Sequence, residues 1–242
     1  MTRRRWIADE VAGDRAVLTG AHAGHLVRVL RARVGQEFDI ATGESVRRGR
    51  IATISADELR VELELGDEVP TPVVPEVNLL LAVFRFERFE WAIEKCTELG
   101  VSQIVPVITR RTESHLAKAA EKRVERWRRI AVQASEQSRR VVAPEIADPV
   151  RLTERVLSAI EGQRIVLAES EDQLSLAECL NAKRTEGSPA TLAVGPEGGW
   201  TDDELSLFTH KGWISVSLGE TILRAETAAI AALAVVMSEL QR

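Results

Sequence analysis

The chain has 242 residues, 45% hydrophobic and 29% charged, so it is long enough for a packed core and too apolar to be disordered. Its longest apolar run, near residues 228–237, is too short for a membrane span, and no signal peptide is visible at the N-terminus. The net charge of −5 argues against a generic nucleic-acid binder, although residues 1–60 (11 Arg, 8 acidic) and 110–140 (10 basic, 4 acidic) are basic.

Residues 1–70 contain three segments that alternate polar and apolar side chains, the pattern of half-buried strands. These segments are 37–41, 46–54 and 59–65. Three prolines in the six residues that end at Pro75 suppress both helix and central strand. The pattern therefore predicts a small β domain at 1–70, a stiff linker at 71–75 and a second domain at 76–242.

One basic helix is predicted inside the first domain, from Ala21 to Arg31, where Arg28 and Arg31 would share a face near His25. Its inward-facing apolar residues are predicted to be Leu26, Val29 and Leu30. The N-terminal cluster adds phosphate partners and one stacking surface, which suits RNA. This cluster consists of Arg3, Arg4, Arg5 and Trp6. The alternatives are a structural histidine and solvated helix faces.

The second domain alternates apolar strands with helices, which predicts a largely parallel sheet covered on both sides. The predicted strands are 77–83, 104–108, 164–168, 191–194 and 213–218. The predicted helices are 87–99, a basic helix at 118–140, 152–160, 174–181 and 225–240. Gly100 is a predicted helix C-cap, and Thr201 with Glu204 predicts a capping box that opens a further helix.

Two loops at strand ends stand out as candidate ligand-binding segments. The first, Gly195-Pro196-Glu197-Gly198-Gly199, has three glycines that allow close approach to bare main chain. The second, Leu218–Thr227, carries polar side chains between an apolar strand and an apolar helix. Because ligands bind at the carboxyl ends of parallel strands, we expect one shared pocket, with a simple tight turn as the alternative.

Several common site types are excluded by spacing. No Lys-Ser/Thr pair follows the glycine-rich loop, the dinucleotide glycine pattern is absent, and so is a Gly-x-Ser-x-Gly turn. Four scattered His and two distant Cys predict no metal site. Cys96 and Cys179 fit ordinary reduced helix residues, which predicts a cytoplasmic protein.

The two loops, together with three further motifs, resemble the knotted SPOUT methyltransferases. The further motifs are His25–Arg31, Glu94–Val101 with Pro106 and Arg111, and Glu136–Arg140 with Pro144. In particular, the chain is similar to the ribosomal RNA small subunit methyltransferase E family, which methylates N3 of a uridine in 16S ribosomal RNA. The resemblance covers nearly the whole chain and is specific because the motifs occur together.

The resemblance implies an α/β fold, with a PUA-like β-barrel followed by a trefoil-knotted parallel-sheet domain. It also implies a homodimer, S-adenosylmethionine as methyl donor, and 16S ribosomal RNA or the assembled small subunit as partner, without membrane or metal. The implied cofactor-binding residues are Leu167, Val194, Gly195, Pro196, Glu197, Gly198, Gly199, Leu218, Gly219, Ile222, Leu223, Arg224 and Thr227.

Three residues are candidates for catalysis under this resemblance. Arg224 would stabilise charge on a uracil carbonyl oxygen, and Glu197 and Glu226 are candidate bases for the N3 proton. Glu226 has a second interpretation as the ion-pair partner of Arg224. The implied RNA-binding residues are Arg3, Arg4, Arg5, His25, Arg28, Arg31, Arg85, Arg111, Arg139 and Arg140. The segment Phe84–Glu87 stands where family members often have a Lys-Gly pair, so Arg85 is expected to substitute for that lysine.

Two other functions fit the same sequence. One is a SPOUT ribose 2′-O-methyltransferase acting on transfer RNA, which differs in the position of the transferred methyl group. The other is a non-catalytic RNA-binding protein that kept the fold, which need not bind the methyl donor.

Overall fold

The computed structural model describes residues 5–70, 75–138, 140–182 and 188–240, and these form two compact units. The first unit comprises Met1–Val73 and Ser135–Val142, and the second comprises Val74–Ala134 and Ala143–Arg242. The sequence pattern did not associate 135–142 with the N-terminal part of the chain. Four groups of predicted residues lie outside the described residues: 71–74 of the linker, Arg3, Arg4 and Arg139.

The first unit is built on a six-stranded sheet in the order β1-β4-β5-β6-β3-β2. Its strands are β1 Arg5–Ile7, β2 Glu10–Ala12, β3 Arg15–Thr19, β4 Glu37–Ala41, β5 Val46–Ser55 and β6 Arg60–Glu68. All pairs are antiparallel except β1 with β4. Leu18, Ile40 and Leu63 are buried on its inner face. The three predicted strands are confirmed, and the PUA-like character of the unit stays a prediction.

The predicted helix at 21–31 is wrong at its C-terminal end. The chain forms α1 over Gly20–Gly24 and then a π-helical turn over His25–Val29, in which the amide of Leu30 donates to the carbonyl of His25 at 3.0 Å. Arg31 leaves the helix with φ of 50°, so it does not continue the helical face of Arg28. Because the wider π turn rotates the residues that follow, Val29 is 65% exposed and not inward as predicted.

The rest of the chain alternates strands and helices as predicted. The strands are β7 Val77–Ala82, β8 Gln103–Ile108, β9 Glu145–Ile146, β10 Val150–Arg151, β11 Gln163–Leu167, β12 Ala190–Val194 and β13 Ile214–Val216. The helices are α2 Phe86–Leu99, α3 Ser114–Ala119, α4 Val124–Ser138, α5 Glu154–Ser158, α6 Leu176–Ala182, α7 Asp202–His210 and α8 Ala225–Leu240. These elements confirm the predicted α/β class.

Two predictions in this part need correction. The single basic helix at 118–140 is broken, because α3, a 3₁₀ turn over Glu121–Arg123 and α4 follow one another. Two short strands, β9 and β10, were not predicted, since two residues are too few to show an alternating pattern. The predicted C-cap is confirmed, because Gly100 has φ of 103°.

All strands of the second unit pair in parallel, in the order β10-β8-β7-β12-β11-β13, with β9 also on β8. Each residue of β12 is buried, as expected for a central strand covered on both faces. The carboxyl ends of β11, β12 and β13 therefore meet at one edge of the sheet. Ligands of open parallel sheets bind at such an edge, near a change in strand order. The trefoil knot stays a prediction.

None of the helices formed by the described residues is long and apolar enough to cross a membrane.

Candidate functional site

A cleft of about 510 Å³ lies at this carboxyl edge of the second unit. Its wall is made by the loops that follow β11, β12 and β13, together with Arg88 from α2 and Arg111 from the loop after β8. The volume lies in the range of small-molecule sites, about 300–1,000 Å³. The two loops singled out in the sequence therefore share one pocket wall.

The glycine-rich loop after β12 is fixed by the tryptophan that follows it. The indole N–H of Trp200 donates to the carbonyl of Leu167 at 2.9 Å, which ties the loop to the end of β11. A Cβ atom at Gly195 would stand 3.2 Å from the indole nitrogen, so the glycine makes room for this ring. The loop then enters α7 through the predicted capping box, in which Thr201 and Glu204 each accept the other's backbone amide, at 3.3 and 2.9 Å.

Arg111, in the loop after β8, also holds the glycine-rich loop. Its Nη1 donates to the carbonyl oxygen of Gly198 and, at 3.2 Å, to that of Trp200. Arg111 also lines the cleft. Only an RNA contact was predicted for this residue from the sequence. Gly199 has φ of 70°, which is the left-handed region where a side chain is strained, so the turn itself requires this glycine.

The loop after β13 contributes an apolar rim and one cation. Ile222 is 81% exposed, and it lines the cleft with Leu218 and Leu223. Arg224 is exposed on the same wall, directly before α8. Its backbone carbonyl accepts the amide of Ala228 at 2.8 Å, so the first turn of the helix fixes its position.

The two candidate carboxylates share one arginine. Arg88 Nη1 lies 3.1 Å from Glu197 Oε1, and Arg88 Nε lies 3.7 Å from Glu226 Oε1. Glu197 lines the cleft with its side chain 33% exposed, whereas Glu226 is 4% exposed and is not among the residues that line it. The interpretation of Glu226 as the partner of Arg224 is wrong, because among the described residues its cation is Arg88.

Of the thirteen predicted cofactor-binding residues, all except Thr227 line the cleft. Further lining residues that the sequence pattern did not identify include Arg88, Glu169, Ser170, Trp200 and Ser217. Glu169 and Ser170 follow Ala168 at the end of β11, and this position after an apolar strand is a signal that could have identified them. Arg88 had no such signal, because it is one arginine among many on helices.

The predicted RNA-binding residues fall in both units. In the first unit, His25, Arg28 and Arg31 are exposed, and the His25 ring packs edge-on against Trp6 with 5.4 Å between ring centroids. Arg5 is half-buried. Arg140 is also half-buried, and burial lowers the pKa of its guanidinium. In the second unit, Arg85 is exposed at the N-cap of α2, just beyond β7.

The basic character of residues 110–140 is partly neutralised by acidic residues from other elements. Arg126 Nε and Nη2 bind the carboxylate of Glu90 at 2.7 and 2.8 Å, and Arg128 pairs with Asp148 at 3.0 Å. These pairs favour solvated helix faces for that part of the stretch. Within the described ranges, no three His, Cys, Asp or Glu side chains are grouped to hold a metal ion, and Cys96 and Cys179 are buried and not joined by a disulfide.

Comparison with known proteins identifies the family to which this chain belongs. A family model described as RNA methyltransferase domain matches residues 70–237. The ribosomal RNA small subunit methyltransferase E of Synechocystis is 35% identical over 231 residues, which cover 93% of this chain and 74% of that relative. The chain belongs to the ribosomal RNA small subunit methyltransferase E family.

Solved structures of similar chains agree with this assignment. The ribosomal RNA small subunit methyltransferase E of Neisseria gonorrhoeae, bound to S-adenosylmethionine, is 27% identical with a TM-score of 0.79, and 98% of each chain is covered. A methyltransferase of Legionella pneumophila with bound cofactor is 25% identical with a TM-score of 0.78, again over 98% of both chains. The family's fold therefore extends over nearly the whole of this chain.

Proposed function

We propose that this chain transfers a methyl group from S-adenosylmethionine to N3 of a specific uridine in 16S ribosomal RNA. The observation that carries the proposal is the cleft at the carboxyl edge, whose walls are the loops after β12 and β13. Membership of the ribosomal RNA small subunit methyltransferase E family supplies the reaction class. We also propose the trefoil knot, the PUA-like first unit, the homodimer and the cytoplasmic location that the resemblance and composition predict.

The residues of the cleft fit the proposed methyl donor. Leu218, Ile222 and Leu223 offer apolar surface for a flat adenine ring. A bound adenine would cover the exposed side chain of Ile222. Gly198 lines the cleft beside the Arg111 side chain and has no side chain of its own to keep a ligand from its main chain. When bound, S-adenosylmethionine supplies a methyl group on a sulfonium, ready for in-line displacement.

The protein has to align the uridine and manage charge on its ring. Arg224, exposed on the cleft wall, is proposed to stabilise negative charge that builds on a uracil carbonyl oxygen as the N3 proton leaves. Of the two candidate bases, Glu197 is the one that lines the cleft, so we propose that it accepts this proton. Glu226 is buried behind it and is proposed to act only through its ion pair.

The target uridine has to be unpaired or flipped out of its helix to reach the cleft. The rest of the RNA then has to be held by other, basic surface of the protein. We propose His25, Arg28 and Arg31 as RNA contacts in the first unit and Arg85 in the second, because all four are exposed. Arg5, Arg111 and Arg140 remain proposed RNA contacts with less exposed or otherwise engaged side chains. Arg3, Arg4 and Arg139, outside the described residues, are proposed from the resemblance.

The proposal is tested by incubating the protein with S-adenosylmethionine and 16S ribosomal RNA that lacks the mark. We expect one added methyl group per RNA, recovered as N3-methyluridine by nucleoside mass spectrometry. Parallel reactions with naked RNA and with isolated small subunits identify the form of the substrate. A methyl group on a ribose 2′-oxygen of transfer RNA would contradict the proposal in favour of the alternative methyltransferase.

Titration calorimetry with S-adenosylmethionine separates the enzyme from a non-catalytic RNA-binding protein. We expect saturable binding with one site per chain, because both loops proposed to bind the cofactor line the same cleft. Absence of binding, together with retained affinity for RNA, would favour the non-catalytic alternative.

A further inference from the structure

Three elements of the second unit bring charged side chains together at the wall of the cleft. Arg88 lies in the first turn of α2, which follows β7, and Glu197 lies in the glycine-rich loop after β12. Glu226 is in the first turn of α8, directly after the loop that carries Arg224. Arg88 therefore links both cleft-forming loops to a helix that belongs to neither.

The two carboxylates occupy different environments. The Glu226 side chain is 5% exposed, and its carboxylate pairs with Arg88 Nε at 3.7 Å. The Glu197 side chain is 33% exposed and accepts a hydrogen bond of 3.1 Å from Arg88 Nη1. One side of the guanidinium thus faces a buried anion, and the other faces an anion on the cleft wall.

Buried Glu226 attracts the half-buried Arg88, and Arg88 in turn orients the more exposed carboxylate of Glu197. A carboxylate in the first turn of a helix is favoured by the helix dipole, and Oε2 of Glu226 has no hydrogen-bond partner among the described residues, so the attraction to Arg88 is its main side-chain interaction there. A buried charge is costly without its partner, so Glu226 restrains Arg88 to this position. The planar guanidinium presents its donors in a rigid fork, so a fixed Nε also fixes the direction in which Nη1 donates.

We propose that Arg88 is a positioning residue, which Glu226 anchors and which orients the Glu197 carboxylate toward the substrate in the cleft. The inference rests on the proposed function, because it assigns Arg88 a part in the same methyl transfer. It differs from a purely structural ion pair in one respect. Arg88 acts through Glu197, so its effect on the reaction disappears once Glu197 no longer carries a carboxylate.

A double-mutant cycle tests this dependence. The variants are Arg88→Gln, Glu197→Gln and the double variant, each measured for kcat/KM with 16S ribosomal RNA and for the midpoint of thermal unfolding. We expect Arg88→Gln to lower kcat/KM by about tenfold or more, since misplaced catalytic groups are costly. In the Glu197→Gln background we expect the same Arg88 change to lower kcat/KM by less than about twofold. The difference between the two backgrounds is the coupling expected of two residues that act together.

Arg88→Lys separates positioning from charge. Lysine keeps a positive charge near Glu226 and loses the fork, so we expect an unfolding midpoint close to that of the wild type with reduced kcat. An equal loss of kcat/KM from Arg88→Gln in both backgrounds, or wild-type kcat in Arg88→Lys, would overturn the positioning role. A wild-type chain that methylates no uridine would instead contradict the proposed function, so the two failures are distinguishable.

Discussion

Arg224→Ala is expected to lower kcat for uridine methylation by about 10²–10³-fold, the cost of removing one preorganised electrostatic group from an active site. Arg224 is exposed on the cleft wall directly before α8, where its guanidinium can face a ligand. Because the side chain is exposed and its backbone contact to Ala228 survives the substitution, the fold should remain intact.

The measurement is single-turnover methylation with 16S ribosomal RNA and saturating S-adenosylmethionine, with the thermal unfolding midpoint recorded alongside. Arg151→Ala is the matched control, since Arg151 is an exposed arginine of the same unit that does not line the cleft. We expect Arg151→Ala to keep wild-type turnover. Turnover within threefold of the wild type in Arg224→Ala would remove Arg224 from the proposed catalytic residues.

Gly198→Val is expected to abolish detectable binding of S-adenosylmethionine, a loss of about 100-fold or more in affinity. Gly198 lines the cleft, and its backbone is outside the left-handed region, so a side chain adds volume without backbone strain. A Cβ atom there would already stand 3.4 Å from Cδ of Arg111, so the branched valine would also crowd this side chain, which lines the same cleft.

Calorimetry on Gly198→Ala and Gly198→Val gives a graded series in which only the size of the side chain changes. We expect alanine to weaken binding less than valine and both variants to unfold within a few degrees of the wild type. Gly199→Ala would be a poorer probe, because φ of 70° at Gly199 adds backbone strain to any effect on the ligand. Wild-type affinity in Gly198→Val would show that this stretch of main chain does not face the cofactor.

The element pattern of the second unit was accessible from sequence because each signal was local. Continuous apolar runs marked the buried strands, Thr201 with Glu204 marked the start of α7, and Gly100 marked the end of α2. The two loops were found because glycines and polar residues interrupt apolar strands at their ends. Because the strands pair in parallel, their carboxyl ends, and therefore the two loops, lie at the same edge of the sheet.

The missing parts depend on contacts between residues far apart in the chain. The ion pairs of Arg88 join residues 109 and 138 positions away, and no local pattern distinguishes this arginine from its neighbours. The same holds for Arg111, whose bonds to the carbonyls of Gly198 and Trp200 require the order of the strands to be known. The π turn at His25–Val29 escaped prediction because its residues fit an ordinary helix equally well.

The central claim, methylation of uridine N3 in small-subunit RNA through this cleft, is tested most directly by mapping modified nucleosides after loss of the gene. We expect 16S ribosomal RNA from the deletion strain to lack one N3-methyluridine, which the wild-type gene restores and the Arg224→Ala gene does not. An unchanged set of N3-methyluridines in 16S RNA, or full restoration by the Arg224→Ala gene, would contradict the account.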